Sequence, residues 1–574
     1  MKYSCENNIT ENYIENLLLL RGIKDCNKYL YPDETCLEDP YLLDNIKDAV
    51  ELFLKHLKNI ESDNVIIVDS DQDGFTSSAM IWNYCKKAIP ECNIRYKIHA
   101  GKQHGLEDMI DILEEEQPNL VIIPDAGSND YDYHKRLKDI GCDIIVIDHH
   151  EAEKYSESAI VINNQLSEKY PNKDLSGAGV TFKFLQVLDD QLKINFSREY
   201  LDLAATGIIG DMMNMNNYEN RYIAFYGLKN IQNSCIKEII KKQDFSIKDS
   251  KNITPTDVSF YITPLVNAII RVGKDSEKEI LFQSFIDGEK IVPKISRGKI
   301  VPGEFEKIAE QNARNCINAR SRQNRQLDKA IEGIDIEILK NGLDENKIII
   351  AEVKDDKIDS TLTGLLAMKI VAKYHKPVLL GRVDDFDTLK GSVRGENKSE
   401  LKDTRQFLID SKYFDFAEGH AQACGFSIPE KNIDSFIKYA NEKLKDVDFN
   451  EGVYKVDFIR KSDSKDLIEL IYSLGEYPEI WGKSNEEAII AIESVKINKK
   501  DVEIIGRNCD TLKFEKNGVV YLKFFAKELI EKIKTINEIE FKIIGKANIN
   551  EWCGKTTPQI MIEDCEIKDI TFDF

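Results

Sequence analysis

Three short apolar runs in the first 150 residues each lead into an aspartate, and this pattern constrains the fold more than any other feature of the chain. The runs and their aspartates are residues 65–68 before Asp69, residues 120–123 before Pro124 and Asp125, and residues 144–147 before Asp148. Continuous β-branched runs of this length are typical of strands buried on both faces of a parallel sheet. Such sheets bind their ligands outside the carboxyl ends of the strands. The sequence therefore predicts a doubly wound α/β domain in which these aspartates converge on one edge of the sheet.

The whole chain has 574 residues, which is enough for three or four domains of roughly 100–200 residues each. Its formal net charge of −22 argues against non-specific binding to nucleic acid through the overall field. No apolar stretch approaches the roughly 18 residues that span a bilayer, and the first residues lack the apolar core of a signal peptide. The 12 cysteines form no CxxC pair, so neither a zinc site nor a disulfide framework is indicated. These features predict a cytoplasmic protein without membrane contact.

One stretch of the chain is basic despite the acidic average. Residues 290–325 contain nine Lys or Arg and three Glu, an excess of six positive charges. The Gln, Arg, Asn and Ala content of residues 312–325 favours helix. From composition alone, this stretch is either a basic groove for phosphates or the solvated face of a charged helix.

The succession of patterns predicts a short helical lead-in and four further regions. The predicted regions are a lead-in over residues 1–45, a catalytic α/β domain over 46–275, a helical basic connector over 276–340, a smaller α/β domain over 341–448 and a β-rich domain over 449–574. Residues from about 200 to 335 are predicted to be mostly helical. The last region consists of short β-prone runs separated by turns, which suits a small barrel of the OB-fold type.

The residues after the first run form the densest group of acidic side chains. Residues 69–74 read Asp-Ser-Asp-Gln-Asp-Gly, and the carboxylates of this group are Asp69, Asp71 and Asp73. Gly74 is predicted to allow a tight turn into a helix that starts near Thr76. An EF-hand loop begins in the same way, but its twelfth position requires Glu and is Met80 here. A metal site at the end of a strand is the better interpretation.

Two histidines and a further aspartate extend this candidate metal site. His149 and His150 directly follow Asp148, and adjacent histidines point in different directions, so that one can bind metal while the other faces a substrate. Asp211 follows an apolar segment of small residues. Carboxylates with one or two imidazoles suit Mn²⁺ or Mg²⁺ before Zn²⁺. This many carboxylates could hold two ions about 3.5–4 Å apart, the arrangement that activates water for attack on a phosphoester.

Together these motifs resemble those of the DHH phosphoesterases, and the chain looks like a RecJ-like single-strand exonuclease of that family. The four DHH motifs correspond to residues 69–74, 124–125, 148–150 and 210–211, and residues 418–425 look like the motif of the associated DHHA1 domain. Further matches to RecJ are residues 176–180, 219–221, 264–271 and 391–394. The resemblance implies a doubly wound parallel-sheet DHH domain, a helical connector, a smaller α/β DHHA1 domain and a C-terminal β-barrel with an OB-fold.

The resemblance also implies roles for individual residues. The metal ligands matched by motif are Asp71, Asp73, Asp125, His149 and Asp211, with Asp125 as the bridging ligand and Asp69 supporting or completing the set. His150 matches a histidine that contacts the scissile phosphate, Asp148 is expected to orient its neighbours, and Arg271 resembles an arginine near that phosphate. The expected substrate contacts are Lys102, His104, Ser392, Arg394, His420, Arg320 and Arg322. Among them, Ser392 and Arg394 resemble the pair that receives a 5′-terminal phosphate.

This chain departs from the family pattern at a few positions. Lys102 and His104 stand where the family has an arginine and a tyrosine. Glu418 replaces the first glycine of the DHHA1 motif, and the usual proline is absent after Asp211.

The implied function is a metal-dependent 5′→3′ exonuclease of DNA repair or recombination, which hydrolyses single-stranded DNA with two Mn²⁺ or Mg²⁺ ions. The implied substrate is a single strand entered at its 5′ end, and a single-strand-binding protein or a helicase is the candidate partner of a monomeric enzyme. A DHH phosphodiesterase of short oligonucleotides or cyclic dinucleotides is the alternative, although the β-rich extension has no evident purpose in such a compact enzyme. An inactive scaffold is the third reading, but such relatives lose metal carboxylates that this chain retains.

Overall fold

A computed structural model describes residues 2–100, 103–247, 249–296, 298–355, 358–396, 399–449, 453–506, 508–552 and 555–571. The chain divides into two compact units. One unit comprises Arg21–Gln323 and Pro478–Glu486, and the other comprises Met1–Leu20, Asn324–Tyr477 and Glu487–Phe574. Within the described residues, no helix combines the length and the apolar character needed to cross a membrane.

The first unit is built on a five-stranded parallel sheet, as the sequence predicts. The strands, in their order across the sheet, are Ile94–Ile98, Asn64–Val68, Leu120–Pro124, Asp143–Asp148 and Ile160–Asn163. The first and third strands in chain order are neighbours, so the chain reverses its direction of travel across the sheet between them. In open α/β sheets, this switch point is where ligands bind at the carboxyl edge.

Both faces of this sheet are covered, which explains the continuous apolar runs. Ile66 and Val68 pack into one buried cluster, whereas Val65 and Ile67 pack into a second cluster on the opposite face. Successive side chains of a strand point to opposite faces, so only a strand that is covered on both sides has this pattern.

Helices connect the strands of the first unit and continue beyond them. The helices of eight or more residues are Ile46–Leu57, Gln72–Ala88, Tyr131–Asp139, Gly177–Leu192, Leu201–Gly210, Tyr218–Lys229, Ser234–Lys241, Thr263–Val272, Asp275–Ile286 and the start of Ile308–Lys340. The helix after the first strand begins at Gln72, earlier than the predicted start near Thr76, because Asp71 caps it by accepting a hydrogen bond from the Gly74 amide at 3.0 Å. Asp73 and Gly74 therefore lie in the first turn of the helix.

The stretch over residues 200–335 is mostly helical, as predicted, but it also contains one β-hairpin that the sequence analysis did not predict. Ile291–Ser296 and Lys299–Lys307 form an antiparallel hairpin within the basic stretch. Pro293, Pro302 and Gly303 interrupt helix formation, and the Ile and Val residues around them favour extended backbone. The basic composition of residues 290–325 does not indicate this change from helix to strand.

The second unit contains the predicted smaller α/β region and the β-rich region. The smaller sheet, in its order across the sheet, consists of Phe416–His420, Ala423–Pro429, Thr388–Arg394, Val378–Val383 and Ile349–Glu352. Its helices of eight or more residues are Thr363–Tyr374, Thr404–Ser411 and Glu430–Lys443.

The C-terminal region forms a seven-stranded mixed sheet, which is consistent with the predicted OB-like domain. The strands, in their order across the sheet, are Phe458–Lys461, Ile489–Asn498, Glu538–Trp552, Lys555–Asp569, Val519–Lys523, Thr511–Lys516 and Glu503–Ile505. The lead-in contributes the predicted helix, Tyr13–Leu20, and also a strand, Lys2–Ser4, which pairs in parallel with Val453–Lys455.

Candidate metal centre

The aspartates that end the apolar runs lie together at the carboxyl edge of the parallel sheet. Asp69 and Asp125 follow neighbouring strands, and Asp148 is the last residue of the next strand. The side chains of all three are almost fully buried, with each residue 1% exposed. The strand order therefore produces the convergence that the sequence predicts.

The wider cluster contains three groups of potential ligand atoms, each within 4.8 Å of one another. The groups are Asp69, Asp71 and Asp125; Asp73, His149 and Asp211; and Asp125, Asp148, His149 and His150. Asp125 and His149 each belong to two groups, so the groups form one continuous cluster. Every residue that was matched to a metal ligand lies within this cluster, and its role as a ligand stays a prediction.

Several carboxylate oxygens of the cluster have no hydrogen-bond partner among the described residues. Asp69 Oδ1, Asp73 Oδ2 and Asp125 Oδ1 are buried and accept no hydrogen bond from the described residues. Burial, followed by repulsion from Asp73 and the other carboxylates, raises the pKa of Asp125 well above its usual range. Native proteins rarely leave buried polar atoms unsatisfied, and buried anions need a positive partner. Oxygen-rich donor sets of this kind suit Mn²⁺ and Mg²⁺.

The pKa values of two further carboxyl groups of the cluster are also raised. Burial and the charge of Asp71 raise the pKa of Asp73 to about 6. Burial, then repulsion from Asp73 and Asp71, raises the pKa of Asp211 to about 8. Each of these carboxyl groups would bind metal only after losing its proton.

His149 lies between two of these carboxylates. Its Nε2 atom is 3.2 Å from Asp125 Oδ1 and 3.4 Å from Asp211 Oδ2. Burial, and then the neighbouring charge of His150, lowers the pKa of His149 to about 4. The imidazole is therefore neutral at physiological pH, which is the form that binds a metal ion.

The pKa of His150 is shifted in the opposite direction to that of His149. Its Nδ1 atom lies 2.8 Å from Asp148 Oδ1, and its side chain is more than half exposed. Burial lowers the pKa of His150, but the hydrogen bond and the charge of Asp148 outweigh this effect, so the pKa is raised. Asp148 is itself held by the backbone amides of His149 at 2.7 Å and Ser128 at 3.0 Å. The pair presents a cationic hydrogen-bond donor beside the metal cluster, as the predicted contact to a phosphate requires.

Three glycines allow the carboxylates to approach so closely. A Cβ atom on Gly74 would lie 2.5 Å from Asp69 Cβ, one on Gly177 would lie 2.3 Å from Asp125 Oδ1, and one on Gly207 would lie 2.3 Å from Asp73 Oδ1. The contacts of Gly74 are with the side chain and backbone of Asp69 across the turn from strand to helix, so glycine allows the chain to turn this closely.

Ser176 supports the cluster through a role that the sequence analysis did not assign. Its hydroxyl donates to Asp73 Oδ1 at 2.9 Å, and the Ala178 amide approaches the same oxygen at 3.2 Å. The signal was present in the Ser-Gly-Ala-Gly motif of residues 176–179, at the start of the helix Gly177–Leu192.

The predicted phosphate contacts near the first sheet have different outcomes. His104 Nδ1 lies 2.6 Å from Asp69 Oδ2, so His104 is placed directly beside the metal cluster. Lys102 falls outside the described residues. Arg271 is in the last turn of the helix Thr263–Val272 and is half-buried. The contacts of His104 and Arg271 with substrate stay predictions.

The strand register of the second unit brings its predicted substrate residues to one face of the smaller sheet. Arg394 and His420 both pair with Ala423, and directly paired residues of an antiparallel sheet point to the same side. Ser392 is two positions from Arg394 on the same strand and so shares this face. A Cβ atom on Gly364 would lie 2.5 Å from Arg394 Nη2, so glycine leaves room for the guanidinium group.

The arginines of the basic helix Ile308–Lys340 already have partners within the first unit. Arg314 bonds Glu306, Arg322 Nη2 lies 2.6 Å from Glu277 Oε2, and Arg320 Nη1 lies 2.5 Å from Gln323 Oε1. A phosphate would have to compete with Glu277 for Arg322. The phosphate contacts of Arg320 and Arg322 stay predictions.

Comparison with known proteins defines the class of this site. Residues 64–208 match the model of the DHH family, N-terminal domain, and residues 463–564 match the model of the RecJ OB domain. A putative SPbeta prophage-derived single-strand DNA-specific exonuclease, YorK of Bacillus subtilis, is 39% identical over 98% of this chain and 97% of that protein. The single-stranded-DNA-specific exonuclease RecJ of Bacillus subtilis is 26% identical over 97% of this chain and 68% of that protein.

The chain therefore belongs to the family of RecJ-like single-strand-DNA-specific exonucleases. Its fold agrees with this assignment. The crystal structure of RecJ in complex with Mn²⁺ from Thermus thermophilus has a TM-score of 0.73 and 18% identity, over 98% of this chain and 79% of that one.

Proposed function

We propose that this protein is a metal-dependent exonuclease that hydrolyses the phosphodiester bonds of single-stranded DNA from the 5′ end. The observation that carries the proposal is the buried cluster of Asp69, Asp73 and Asp125, each of which has an unsatisfied oxygen, and in which Asp125 Oδ1 lies 3.2 Å from Nε2 of the neutral His149. Such a donor set has no evident structural role, because burying several like charges destabilises a fold. The named activity of the relatives supports the same conclusion.

The proposed cofactors are two divalent ions, Mn²⁺ or Mg²⁺, held by Asp71, Asp73, Asp125, His149 and Asp211, with support from Asp69. Bound ions would activate a water molecule and stabilise the leaving oxygen of the phosphoester. The protein would contribute the rigid spacing of the carboxylates, since strand ends and helix starts hold them in place.

The remaining residues would bind and orient the strand. His150 is kept cationic by Asp148 and would donate a hydrogen bond to an oxygen of the scissile phosphate. Arg271 would contact the same phosphate. Ser392 and Arg394 would receive the 5′-terminal phosphate, because a guanidinium group can bond two phosphate oxygens at once.

We place this activity in DNA repair or recombination in the cytoplasm, with a single-strand-binding protein or a helicase as the recruiting partner of a monomeric enzyme. The match to the RecJ OB domain favours a long single strand over a short oligonucleotide or a cyclic dinucleotide, because OB-folds bind extended strands.

The test uses long single strands labelled at the 5′ or the 3′ end and digested with Mn²⁺. We expect a 5′ label to be released at once as a mononucleotide, while a 3′ label stays on progressively shorter strands. Release of a 3′ label first would contradict the proposed polarity. Hydrolysis of dinucleotides without hydrolysis of long strands would favour the small-substrate alternative.

A further inference from the structure

A nine-residue segment from the C-terminal part of the sequence lies in the compact unit that carries the metal centre. This segment, Pro478–Glu486, belongs to the same unit as Arg21–Gln323, although the residues on both sides of it in sequence belong to the other unit. We call this segment the latch. Its position indicates that the catalytic unit is not contiguous in sequence.

The latch contacts the loop that follows the metal-cluster residue Asp211. This Asp211 loop, residues 211–217, starts where the helix Leu201–Gly210 ends. The Met215 amide donates to the Lys483 carbonyl at 2.9 Å, and Asn216 Nδ2 donates to the Ser484 carbonyl at 3.1 Å. Backbone carbonyls of the latch thus fix two successive residues of the loop.

The packing at this contact leaves no spare volume. Met215 is 2% exposed, and a Cβ atom on Gly482 would lie 2.7 Å from Met215 Cγ and 3.7 Å from Pro255 Cβ. Only glycine at position 482 allows the latch backbone to approach the Met215 side chain this closely.

Buried polar contacts hold the latch itself rigidly in place. Asn485 is fully buried and donates to Tyr29 Oη at 3.1 Å and to the Ile480 carbonyl at 3.0 Å. Arg21 Nη1 donates to Asn485 Oδ1 at 2.6 Å. The buried Arg221 joins the latch to the same unit by donating to the Glu479 carbonyl at 2.8 Å and the Tyr29 carbonyl at 3.1 Å. So many satisfied buried polar groups specify a single position for the segment.

The other side of the Asp211 loop is held by residues that are closer to it in sequence than the latch is. Asn220 Nδ2 donates to the Asn214 carbonyl at 3.0 Å, and Asn214 Nδ2 donates to Asp174 Oδ2 at 3.1 Å. Among the described residues, the latch is thus the support of the loop that comes from the C-terminal part of the sequence. Met212 has a φ of +57°, a conformation that needs support from its surroundings.

We propose that the latch is a positioning element for the metal centre: Gly482, Lys483 and Ser484 hold the Asp211 loop so that the Asp211 carboxylate faces Asp73 and His149. The inference rests on the proposed function only in treating Asp211 as a metal ligand. It means that the segment Arg21–Gln323 cannot reach full metal affinity without residues that lie beyond the smaller α/β region in sequence.

The test compares Gly482→Val in the full-length protein with Gly333→Ala as a matched control. A side chain at position 482 would displace Met215, whereas a Cβ atom on Gly333 meets no atom within 4 Å. The first measurement is Mn²⁺ affinity by titration calorimetry, with the metal alone as the probe. We expect Gly482→Val to bind Mn²⁺ about tenfold more weakly, the size of effect seen when groups that orient metal ligands are lost. Gly333→Ala should bind Mn²⁺ like the wild type.

The second measurement is amide hydrogen exchange of the metal-free proteins. We expect faster exchange in residues 211–217 of Gly482→Val, while the strand Asn64–Val68 exchanges as in the wild type. Wild-type exchange in the loop together with wild-type Mn²⁺ affinity would overturn the inference. If Gly482→Val does not fold, the smaller change Asn216→Ala removes one latch contact and decides the question by the same two measurements. Failure of the wild-type protein to bind Mn²⁺ would contradict the proposed function. The exchange data would still test whether the latch holds the Asp211 loop in place.

Discussion

The Nε2 atom of His149 lies 3.2 Å from the Oδ1 atom of Asp125, and that oxygen accepts no hydrogen bond from the described residues. A neutral imidazole nitrogen and a buried carboxyl oxygen this close can both serve as ligands of a single cation. This arrangement costs free energy in the metal-free protein and gains it when a cation is bound.

Replacing Asp125, the predicted bridging ligand, should separate activity from stability. We expect Asp125→Asn to abolish hydrolysis and to raise the melting temperature of the metal-free protein, because the amide removes a buried charge that neighbouring carboxylates repel. The folded-state pKa of Asp125 is raised, so its carboxyl stabilises the fold at low pH and loses this contribution as pH rises through that pKa. The gain in melting temperature should therefore be larger at pH 8 than at pH 5. Residual activity of more than a few per cent at saturating Mn²⁺ would contradict the bridging role.

Metal affinity should depend on pH through the raised pKa values of the cluster. Asp211 and Asp73, with pKa values of about 8 and about 6, hold protons in the metal-free protein below these values. A metal ion must displace these protons, so Mn²⁺ affinity should weaken as pH falls from 8 to 6. Calorimetry in buffers of different ionisation enthalpy measures the protons released. Asp211→Asn should reduce that number, and an unchanged release would exclude Asp211 as the source.

Replacing His150 should lower kcat, whereas replacing His149 should weaken Mn²⁺ binding. His150→Ala should lower kcat by about 100-fold, the lower end for a lost proton or hydrogen-bond donor, with Mn²⁺ affinity close to that of the wild type. His149→Ala should weaken Mn²⁺ binding, and excess Mn²⁺ should restore part of the activity. Steady-state kinetics at several Mn²⁺ concentrations distinguish the two patterns. Similar metal dependence in both variants would contradict the assignment of different roles.

The phosphate contacts predicted for Arg320 and Arg322 can be tested against Arg314, which lies on the same helix. If Arg320 and Arg322 contact phosphates, exchanging both for Gln should flatten the plot of log affinity for single strands against log salt by about 0.7 per lost contact. Arg314 bonds both carboxylate oxygens of Glu306 on the adjacent hairpin, whereas Arg322 contacts one oxygen of Glu277 and Arg320 contacts the neutral Gln323, so Arg314→Gln should change the slope less. Fluorescence anisotropy with a labelled strand and Ca²⁺ in place of Mn²⁺ measures binding without cleavage. An equal effect of both changes would indicate a general loss of positive charge.

Recognition of the 5′ end should depend on the face of the smaller sheet that carries Ser392 and Arg394. We expect a 5′-phosphorylated single strand to be degraded faster than its 5′-hydroxyl counterpart, and Arg394→Ala to remove most of this difference while Mn²⁺ binding is retained. Blunt duplex should be a poor substrate. Equal rates on both 5′ ends in the wild type would show that this face does not bind the terminal phosphate.

Local sequence patterns were sufficient to predict the parallel sheet and the metal cluster. The continuous β-branched runs specify strands covered on both faces, and Asp69, Asp125 and Asp148 stand at their carboxyl ends. Because parallel strands end at a common edge, the position of these residues at strand ends is enough to predict that they converge there. The start of the helix at Gln72 was not predicted, because it depends on capping by Asp71 and not on the hydrophobic period. The hairpin within residues 290–307 was not predicted, because net charge does not indicate where Pro293 breaks a helix.

Only the tertiary structure decided which glycines the cluster requires and what supports Asp211. The need for glycine at position 207 arises from Asp73, which is distant in sequence, and no local pattern records that approach. The contact of Met215 with Lys483 likewise joins segments that no local pattern connects. Patterns of hydrophobicity and turn residues determine the elements and the edge where ligands bind, because these depend on neighbours in sequence. The supports of the site depend on volume and hydrogen bonds between distant segments, and these exist only once the chain has folded.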